Sequence, residues 1–164
     1  MALHLDLNLL EQARRVLEER GSHGVEGTAL IVGGARPRLV VPEQKATGGR
    51  PGHTVEVTRA GRMQLVLALG PGETYAARIH SHPDEAFHSR ADDANPALTF
   101  EGALSIVVPY YGLGLRHGLD ACAVFLLRDR RWVNLPPGER AAHLTADGPD
   151  EGSDEGSDEG IADA

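Results

Sequence analysis

Hydrophobic positions along the first quarter of the chain predict one helix followed by a pair of strands. Residues 7 to 20 repeat apolar side chains at helical intervals of three and four, and Gly21 is expected to end this helix. The apolar positions are Leu9, Leu10, Ala13, Val16 and Leu17. Two apolar runs, 27–34 and 37–43, follow with a turn between them and predict a β-hairpin.

Strand and helix patterns continue to alternate through the rest of the chain. Residues 53–58 alternate as a strand does, and residues 58–70 have the apolar spacing of a helix packed on a sheet. Apolar runs of strand length recur at 74–82, 103–109, 120–127 and 130–135, and two prolines at 136–137 indicate a short helix start. This order predicts an α/β (α+β) domain with a central sheet flanked by helices.

Charge divides the chain into a balanced body and an acidic end. The 164 residues have a formal net charge of −8, and eight of the 24 acidic residues lie from Asp147 onward, where there is no Lys or Arg. We therefore predict a folded domain over residues 1–146 and a disordered Gly/Ser/acidic tail over residues 147–164. The tail is interpreted as a solvated solubility segment, with docking to a basic partner as the alternative. The balanced body offers no basic face for nucleic acid.

The expected location is the cytoplasm, with no membrane partner. The single cysteine, Cys122, excludes an intrachain disulfide and suits a reducing compartment. It lies in an apolar run, so we expect a buried structural thiol rather than a nucleophile. No stretch approaches the roughly 20 apolar residues of a membrane span, and residues 1–15 lack the basic start and apolar core of a signal peptide.

Polar side chains of chemical interest are concentrated in residues 78–93, RIHSHPDEAFHSRADD. In an extended segment, His80 and His82 point to the same side and Ser81 points away. Two imidazoles and one carboxylate are a common ligand set for a catalytic zinc ion, which leaves its fourth position to water. Taken alone, an HxH at a strand end is more often a surface pair.

A carboxylate for this set is available nearby. Ser89 and Asp92 have the i, i+3 spacing that places them on one side of a helical turn. Asp92, or its neighbour Asp93, is therefore the candidate third ligand. The same S-x-x-D pattern also starts helices, close to a capping box, without any metal. Its occurrence together with the two histidines favours the metal site.

A zinc hydrolase also needs a general base to take a proton from water. The motif H-E-x-x-H is absent, so the base must lie elsewhere in the chain. Glu26, directly before the apolar run 27–34, is a carboxylate at the mouth of an apolar element. A solvated glutamate at a strand end is the ordinary interpretation of such a residue.

A glutamate that opens an early strand, then H-S-H-P, then S-x-x-D resembles the JAMM (JAB1/MPN/Mov34) zinc metalloproteases. More narrowly, the chain is similar to the prokaryotic JAB proteins found with ubiquitin-like conjugation components. The likeness extends from VEGTALIVGG through HSHPDEAFHSRADDANPAL to DACAVFLL, which is most of the body. It implies a cytidine-deaminase-like JAMM/MPN architecture with a mostly antiparallel central sheet.

The resemblance also implies a role for each matching residue. His80, His82 and Asp92 would hold Zn²⁺. Glu26 would accept the proton of a water molecule and pass it to the leaving amine. Ser89 would donate a hydrogen bond to the oxyanion of the tetrahedral intermediate, a contribution on the order of 3 kcal/mol.

This sequence departs from the family pattern around the acidic ligand. Only DEAFH separates Pro83 from Ser89, so Asp93 lies nearer the customary distance from the histidines. Asp92 is favoured because its helical phase to Ser89 is fixed locally. Pro96 would break a helix that starts at Ser89 within two turns, which leaves the identity of the acidic ligand open.

The resemblance implies a zinc-dependent isopeptidase or peptidase that cleaves after the C-terminal glycine of a ubiquitin-like protein. Activating and conjugating enzymes of a bacterial conjugation system are the expected partners. The alternatives are a protease that trims a sulfur-carrier precursor and a catalytically silent MPN scaffold without stoichiometric zinc. Residues 46–52 and 110–118 are candidate loops that would grip the extended tail by strand addition.

Overall fold

The described residues, 1–47, 55–86 and 98–148, form ten strands and three helices in a computed structural model. The elements in chain order are β1 (Leu3–Leu5), α1 (Leu7–Ser22), β2 (Thr28–Val32), β3 (Arg38–Val40), β4 (Gln44–Ala46), β5 (Val55–Val57), α2 (Arg59–Leu67), β6 (Tyr75–Ser81), β7 (Leu104–Val108), β8 (Ala123–Arg128), β9 (Arg131–Asn134), α3 (Pro137–Arg140) and β10 (Leu144–Ala146). Two 3₁₀ segments, Tyr110–His117 and Leu119–Ala121, lie between β7 and β8.

Six strands form one central sheet in the order β3-β2-β6-β7-β8-β9. Every neighbouring pair is antiparallel except β6 and β7, which run parallel. Parallel neighbours need a crossover connection, and here it comprises residues 82–103. The carboxyl ends of β6 and β7 therefore meet at one edge of the sheet. The predicted fold, a mostly antiparallel central sheet flanked by helices, is confirmed.

Helix α1 covers one face of this sheet and forms the larger core with it. Asp6 caps the helix by accepting a hydrogen bond from the backbone N–H of Leu9 at 2.8 Å. The predicted apolar stripe is buried at Leu9, Leu10, Ala13 and Leu17. The predicted end at Gly21 is wrong, because the helix continues to Ser22. Gly21 instead allows close packing, since a Cβ there would overlap Tyr111.

A second, smaller core lies on the opposite face of the sheet, towards α2. It contains Leu30, Leu65, Leu98, Ala103 and Leu127. All five residues of β2 and all five of β7 are buried, as expected for central strands that are covered on both sides. The central strands are therefore ordered by packing from both faces.

Some elements were not predicted from the sequence. Strands β1 and β10 pair in parallel, with Leu3 opposite Leu144. The strand predicted at 53–58 is present as β5, but it pairs with β4 in a separate two-stranded sheet. The candidate loop at 110–118 contains 3₁₀ turns over Tyr110–His117, which the sequence did not predict. The pairing partners of such short strands are not encoded in their own few residues.

The end of the folded body lies slightly beyond the predicted boundary. Asp147, the first residue of the predicted tail, donates its N–H to the carbonyl of Leu5 at 3.0 Å. Its carboxylate accepts a hydrogen bond from the N–H of Leu7 at 3.1 Å. Residues 149–164 lie outside the described residues, so their predicted disorder stays a prediction. Among the described helices, none is long and apolar enough to cross a membrane.

Candidate metal site

Two imidazoles lie close together at the carboxyl end of β6. His80 is in the strand and His82 follows it directly, and their side chains are only 2% and 3% exposed, respectively. Their ring centroids are 5.2 Å apart and the ring planes make an angle of 58°. Tetrahedral zinc with Zn–N bonds of about 2.0–2.1 Å puts the centroids of two ligating imidazoles roughly 5 Å apart. The pair therefore fits two positions of a zinc site.

Strand pairing places Glu26 beside this pair. Thr28 of β2 is opposite His80 of β6 in antiparallel register. The N–H of Ser81 donates to the carbonyl of Gly27 at 3.0 Å, which continues the register by one residue. The next step sets Glu26 opposite His82, and directly opposed residues share a face of the sheet. Glu26 is buried, with 8% of its surface exposed.

The chain that leaves His82 is fixed by the segment after β7. The N–H of His82 donates to the carbonyl of Val108 at 3.0 Å, and the N–H of Tyr111 donates to the carbonyl of His82 at 2.7 Å. The N–H of Tyr110 donates to the carbonyl of Asp84 at 2.9 Å. The H-S-H-P turn is thus tied to the end of the neighbouring parallel strand.

Tyr110 and Tyr111 adopt an uncommon backbone conformation to make these bonds. Both have positive φ, 55° and 54°, in the left-handed region that costs a non-glycine residue roughly 1–2 kcal/mol. Such strain is retained where the surrounding structure holds it, and it is found often at functional sites. Here it aims two successive N–H groups at the chain that follows His80 and His82.

A buried arginine, Arg78, lies in β6 two residues before His80. Arg78 is two residues before His80, so both side chains project from the same side of the strand. It is 4% exposed, and a guanidinium remains charged when buried. A fixed positive charge at this position favours an anionic neighbour. The sequence prediction missed Arg78, although the i, i+2 alternation R-I-H would have placed it.

The remaining predicted site residues cannot be located relative to this pair. Ser89, Asp92 and Asp93 lie outside the described residues, so their roles stay predictions. Among residues 1–47, 55–86 and 98–148, no group of three His, Cys, Asp or Glu side chains is arranged to hold a metal ion. The described part of the chain thus supplies two imidazoles, and the third ligand remains the predicted aspartate.

Cys122 is excluded as a nucleophile by its surroundings. The thiol is 4% exposed, and its Sγ lies 3.7 Å from the carbonyl oxygen of Gly118. Burial raises the pKa of Cys122 to about 12, so the thiolate is scarcely populated near neutral pH. The buried structural thiol that the sequence predicted is confirmed.

A surface groove of about 460 Å³ begins beside the H-S-H-P turn. Glu85 and Ala86 border it on the side of the turn, and Pro109 and Tyr110 border it after β7. A larger cavity of about 620 Å³ lies at the start of α1, and its lining shares no residue with the histidine pair. The smaller groove is therefore the one that borders the H-S-H-P turn, and His80 and His82 are not among its lining residues.

Comparison with known proteins gives one curated relative. The chain is 37% identical over 102 residues to a protein named "Probable metalloprotease y4jG" from Sinorhizobium fredii. This match covers 58% of the present chain and 63% of the relative, so the chain spans just under two thirds of the relative's length. No protein-family model matches the chain.

A solved structure shares the fold at low sequence identity. Protein DSY2949 from Desulfitobacterium hafniense superposes with a TM-score of 0.54 at 15% identity, covering 88% of this chain and 92% of that one. AF2198, a JAB1/MPN domain protein from Archaeoglobus fulgidus, gives a TM-score of 0.47 at 15% identity, covering 88% and 98%.

The chain is thus similar to a protein named as a probable metalloprotease, which is the class that its histidine motif indicated. That name agrees with the metalloprotease class to which the resemblance to the JAMM (JAB1/MPN/Mov34) family pointed.

Proposed function

We propose that this protein is a zinc-dependent peptidase that cleaves after the C-terminal glycine of a ubiquitin-like protein. The single observation that carries the proposal is a pair of buried imidazoles at the carboxyl end of β6, with a buried carboxylate two residues before the neighbouring strand β2. His80 and His82 have ring centroids 5.2 Å apart, and the strand register sets Glu26 opposite His82. The sequence motif and the metalloprotease relative support the same reaction class.

His80 and His82 would hold the zinc ion, with Asp92 as the predicted third ligand. A bound zinc ion supplies Lewis-acid polarisation of a carbonyl and lowers the pKa of water towards neutrality. Burial fixes the direction of both imidazoles before any metal binds, with His80 in β6 and His82 directly after it. Such preorganisation reduces the entropy that ligand side chains lose on binding.

Glu26 is the proposed general base. A base must come within hydrogen-bond reach of the proton that it takes, and Glu26 approaches from the strand next to the histidines. Its carboxylate would accept a proton from water and return it to the leaving amine. Ser89, from the sequence motif, would donate a hydrogen bond to the developing oxyanion.

The groove beside the site supports an extended peptide as the substrate. Several of its lining residues are small or cyclic, including Ala86, Pro109, Ala123 and Pro136. Small lining side chains leave room for a polypeptide main chain. Such a groove suits an extended C-terminal segment that ends in glycine. The ubiquitin-like identity of the substrate, and a conjugation system with activating and conjugating enzymes, follow from the family resemblance.

The test uses a fusion in which the C-terminal glycine of a ubiquitin-like protein is followed by a reporter peptide. We expect the zinc-loaded full chain to release the reporter and a zinc chelator to stop the release. His80→Ala and His82→Ala should each abolish cleavage and lower the zinc content measured by atomic emission. His23→Ala is the matched control, since that histidine is exposed just after α1 and belongs to neither the predicted ligand set nor the candidate substrate loops.

Two results would contradict the proposal. Release of the reporter at an unchanged rate in the presence of chelator would exclude metal-dependent cleavage. A purified protein that holds no stoichiometric zinc and leaves the fusion intact would indicate a silent scaffold instead.

A further inference from the structure

The peptide group between Glu26 and Gly27 is hydrogen-bonded at both ends by side chains. Its carbonyl oxygen, from Glu26, accepts a hydrogen bond from Nε of Arg20 at 2.8 Å. Its N–H, from Gly27, donates to the hydroxyl of Ser81 at 2.9 Å. A peptide group is planar, so two bonds at opposite ends fix the orientation of the whole plane.

Ser81 reaches this peptide because it is the middle residue of H-S-H. Its side chain points away from His80 and His82, and it is completely buried. At this position the serine hydroxyl accepts the Gly27 N–H, while the serine N–H donates to the Gly27 carbonyl at 3.0 Å. Ser81 and Gly27 are therefore joined by two hydrogen bonds at the end of β2.

Arg20 approaches from the last turn of α1. A Cβ added to Gly27 would lie 3.0 Å from Cδ of Arg20 and 3.2 Å from a methyl carbon of Leu17. Glycine at position 27 thus leaves the space through which the arginine side chain passes. Helix α1 and strand β6 both hold the same peptide, from opposite ends.

Orientation of this peptide plane controls the direction of the Glu26 side chain. Rotation about the Cα–C bond of Glu26 would turn the carbonyl away from Arg20 and the Gly27 N–H away from Ser81. Both hydrogen bonds oppose that rotation, and the buried Ser81 hydroxyl has no room to follow it. The carboxylate is consequently held on the side of the sheet where His80 and His82 lie.

We propose that Arg20 and Ser81 are positioning residues that clamp the Glu26–Gly27 peptide and thereby aim the Glu26 carboxylate at the histidine pair. The inference rests on the proposed function of Glu26 as the general base. The H-S-H segment then has two roles: its histidines face the metal site, and its serine orients the base.

The test is a double-mutant cycle on cleavage of the ubiquitin-like fusion. We expect Ser81→Ala to lower kcat about tenfold, with zinc content and KM unchanged, because a misaligned base loses rate rather than binding. Ser81→Thr keeps the hydroxyl and should restore most of kcat. In a Glu26→Gln background, Ser81→Ala should change the residual rate by less than about twofold, since the two residues act as one unit.

Ile79→Val is the matched control for lost stability. Ile79 is fully buried on the same face of β6 as Ser81, but it takes no part in the clamp. It should retain kcat. Arg20→Met, which keeps the side-chain stem and removes the Nε donor, should lower kcat in the same way as Ser81→Ala.

Hydrogen exchange gives a readout that does not depend on activity. The amide of Gly27 should exchange about tenfold faster in Ser81→Ala than in Ile79→Val, because only the first variant removes its acceptor. Three results would overturn the clamp. They are an unchanged exchange rate of the Gly27 amide in Ser81→Ala, a wild-type kcat for Ser81→Ala, and an equal loss of rate from Ser81→Ala in the wild-type and Glu26→Gln backgrounds. If the Glu26→Gln variant cleaves at the wild-type rate, Glu26 is not the general base and the proposed function is contradicted. If only the Ser81→Ala predictions fail, Glu26 keeps its role and only the clamp is contradicted.

Discussion

Thr28 of β2 and His80 of β6 are direct cross-strand partners at the carboxyl end of β6. Strand β2, which follows the proposed base Glu26, therefore pairs in antiparallel fashion with β6, which contains His80. The Ser81–Gly27 hydrogen bond continues this register by one residue, so Glu26 and His82, just outside the two strands, are expected on the same side of the sheet as His80. This geometry is the basis of the first prediction.

Glu26→Gln should stop cleavage without releasing the metal. The amide keeps the shape of the side chain but cannot accept a proton, and loss of a general base typically lowers a rate by about 10²–10⁴. Glu26 lies beside the imidazoles and outside the predicted ligand set, so zinc should stay stoichiometric. Cleavage of the fusion and atomic emission on the same sample measure both. Zinc loss in this variant would make Glu26 a ligand and contradict its role as the base.

Asp92→Ala should release zinc, whereas Asp93→Ala should retain it. This prediction comes from the spacing of Ser89 and Asp92 in the sequence, since both aspartates lie outside the described residues. Removing one of three protein ligands lowers affinity steeply for a site of this type. Competition with a chromogenic chelator measures the affinity of each variant. The opposite ranking would assign the ligand to Asp93.

Sequence reasoning placed His80 and His82 side by side because the H-S-H pattern is local. The alternation H-S-H states which side each residue faces, and the structure places both imidazoles together as expected. The clamp was missed because it joins three distant segments, which contribute Arg20, Gly27 and Ser81. Nothing in a single sequence indicates that Arg20, on a solvated-looking turn of α1, bonds the carbonyl of Glu26.

The fold follows the same division between local and distant information. Long apolar elements such as α1 and β7 were predicted because each carries its own periodic pattern. The pairing of β1 with β10, and of β4 with β5, depends on partners elsewhere in the chain. The alternation at 53–58 predicted β5, but no local pattern indicates that β4 is its partner.

Gly61→Ala should destabilise the protein although alanine is the better helix former. Helix propensity alone would give a gain of about 1 kcal/mol in the free energy of unfolding. A Cβ on Gly61 would overlap the carbonyl oxygen of Glu43 and lie 2.8 Å from a methyl carbon of Val57, and overpacking costs about 1–3 kcal/mol. The clash involves backbone, so we expect a net loss of about 1 kcal/mol or more in urea unfolding.

Ala60→Gly is the control for helix propensity in that experiment. Ala60 is exposed on the same helix, so Ala60→Gly should lower the free energy of unfolding by the difference in helix propensity between alanine and glycine, about 1 kcal/mol. An increase in stability for Gly61→Ala would show that α2 moves away from Glu43 at little cost.

Cys122 should resist thiol reagents in the folded protein. With a pKa of about 12, only about 10⁻⁴ of the thiol is ionised at pH 8, and burial further blocks access. Mass spectrometry after treatment with iodoacetamide should find no adduct until denaturant is added. Rapid labelling of the native protein would contradict the buried position.

An ion pair at the edge of the sheet should make stability depend on pH in the acid range. Hydrogen bonds from Arg38, at 2.6 and 2.7 Å, and from the N–H of Gly70 lower the pKa of Glu73 from 4.5 to about 2. A carboxyl whose pKa is lower in the folded state stabilises the fold above pH 4.5. That contribution is lost as the pH falls from 4.5 through 2.

Glu73→Gln should therefore be less stable than the wild type at pH 7 and nearly equal to it below pH 2. Urea unfolding at several pH values measures the difference between the two proteins. A gap that does not narrow on acidification would show that Glu73 acts by packing rather than through its charge.

The parallel pairing of β1 with β10 makes two remote segments depend on each other for their order. Leu3 and Leu144 are register partners, and Asp147 bonds the backbone on both sides of Asp6. Cutting away either segment would strip the other of its only described strand neighbour and expose the base of α1. A truncation that removes either β1 or β10 would thus be expected to disorder both segments.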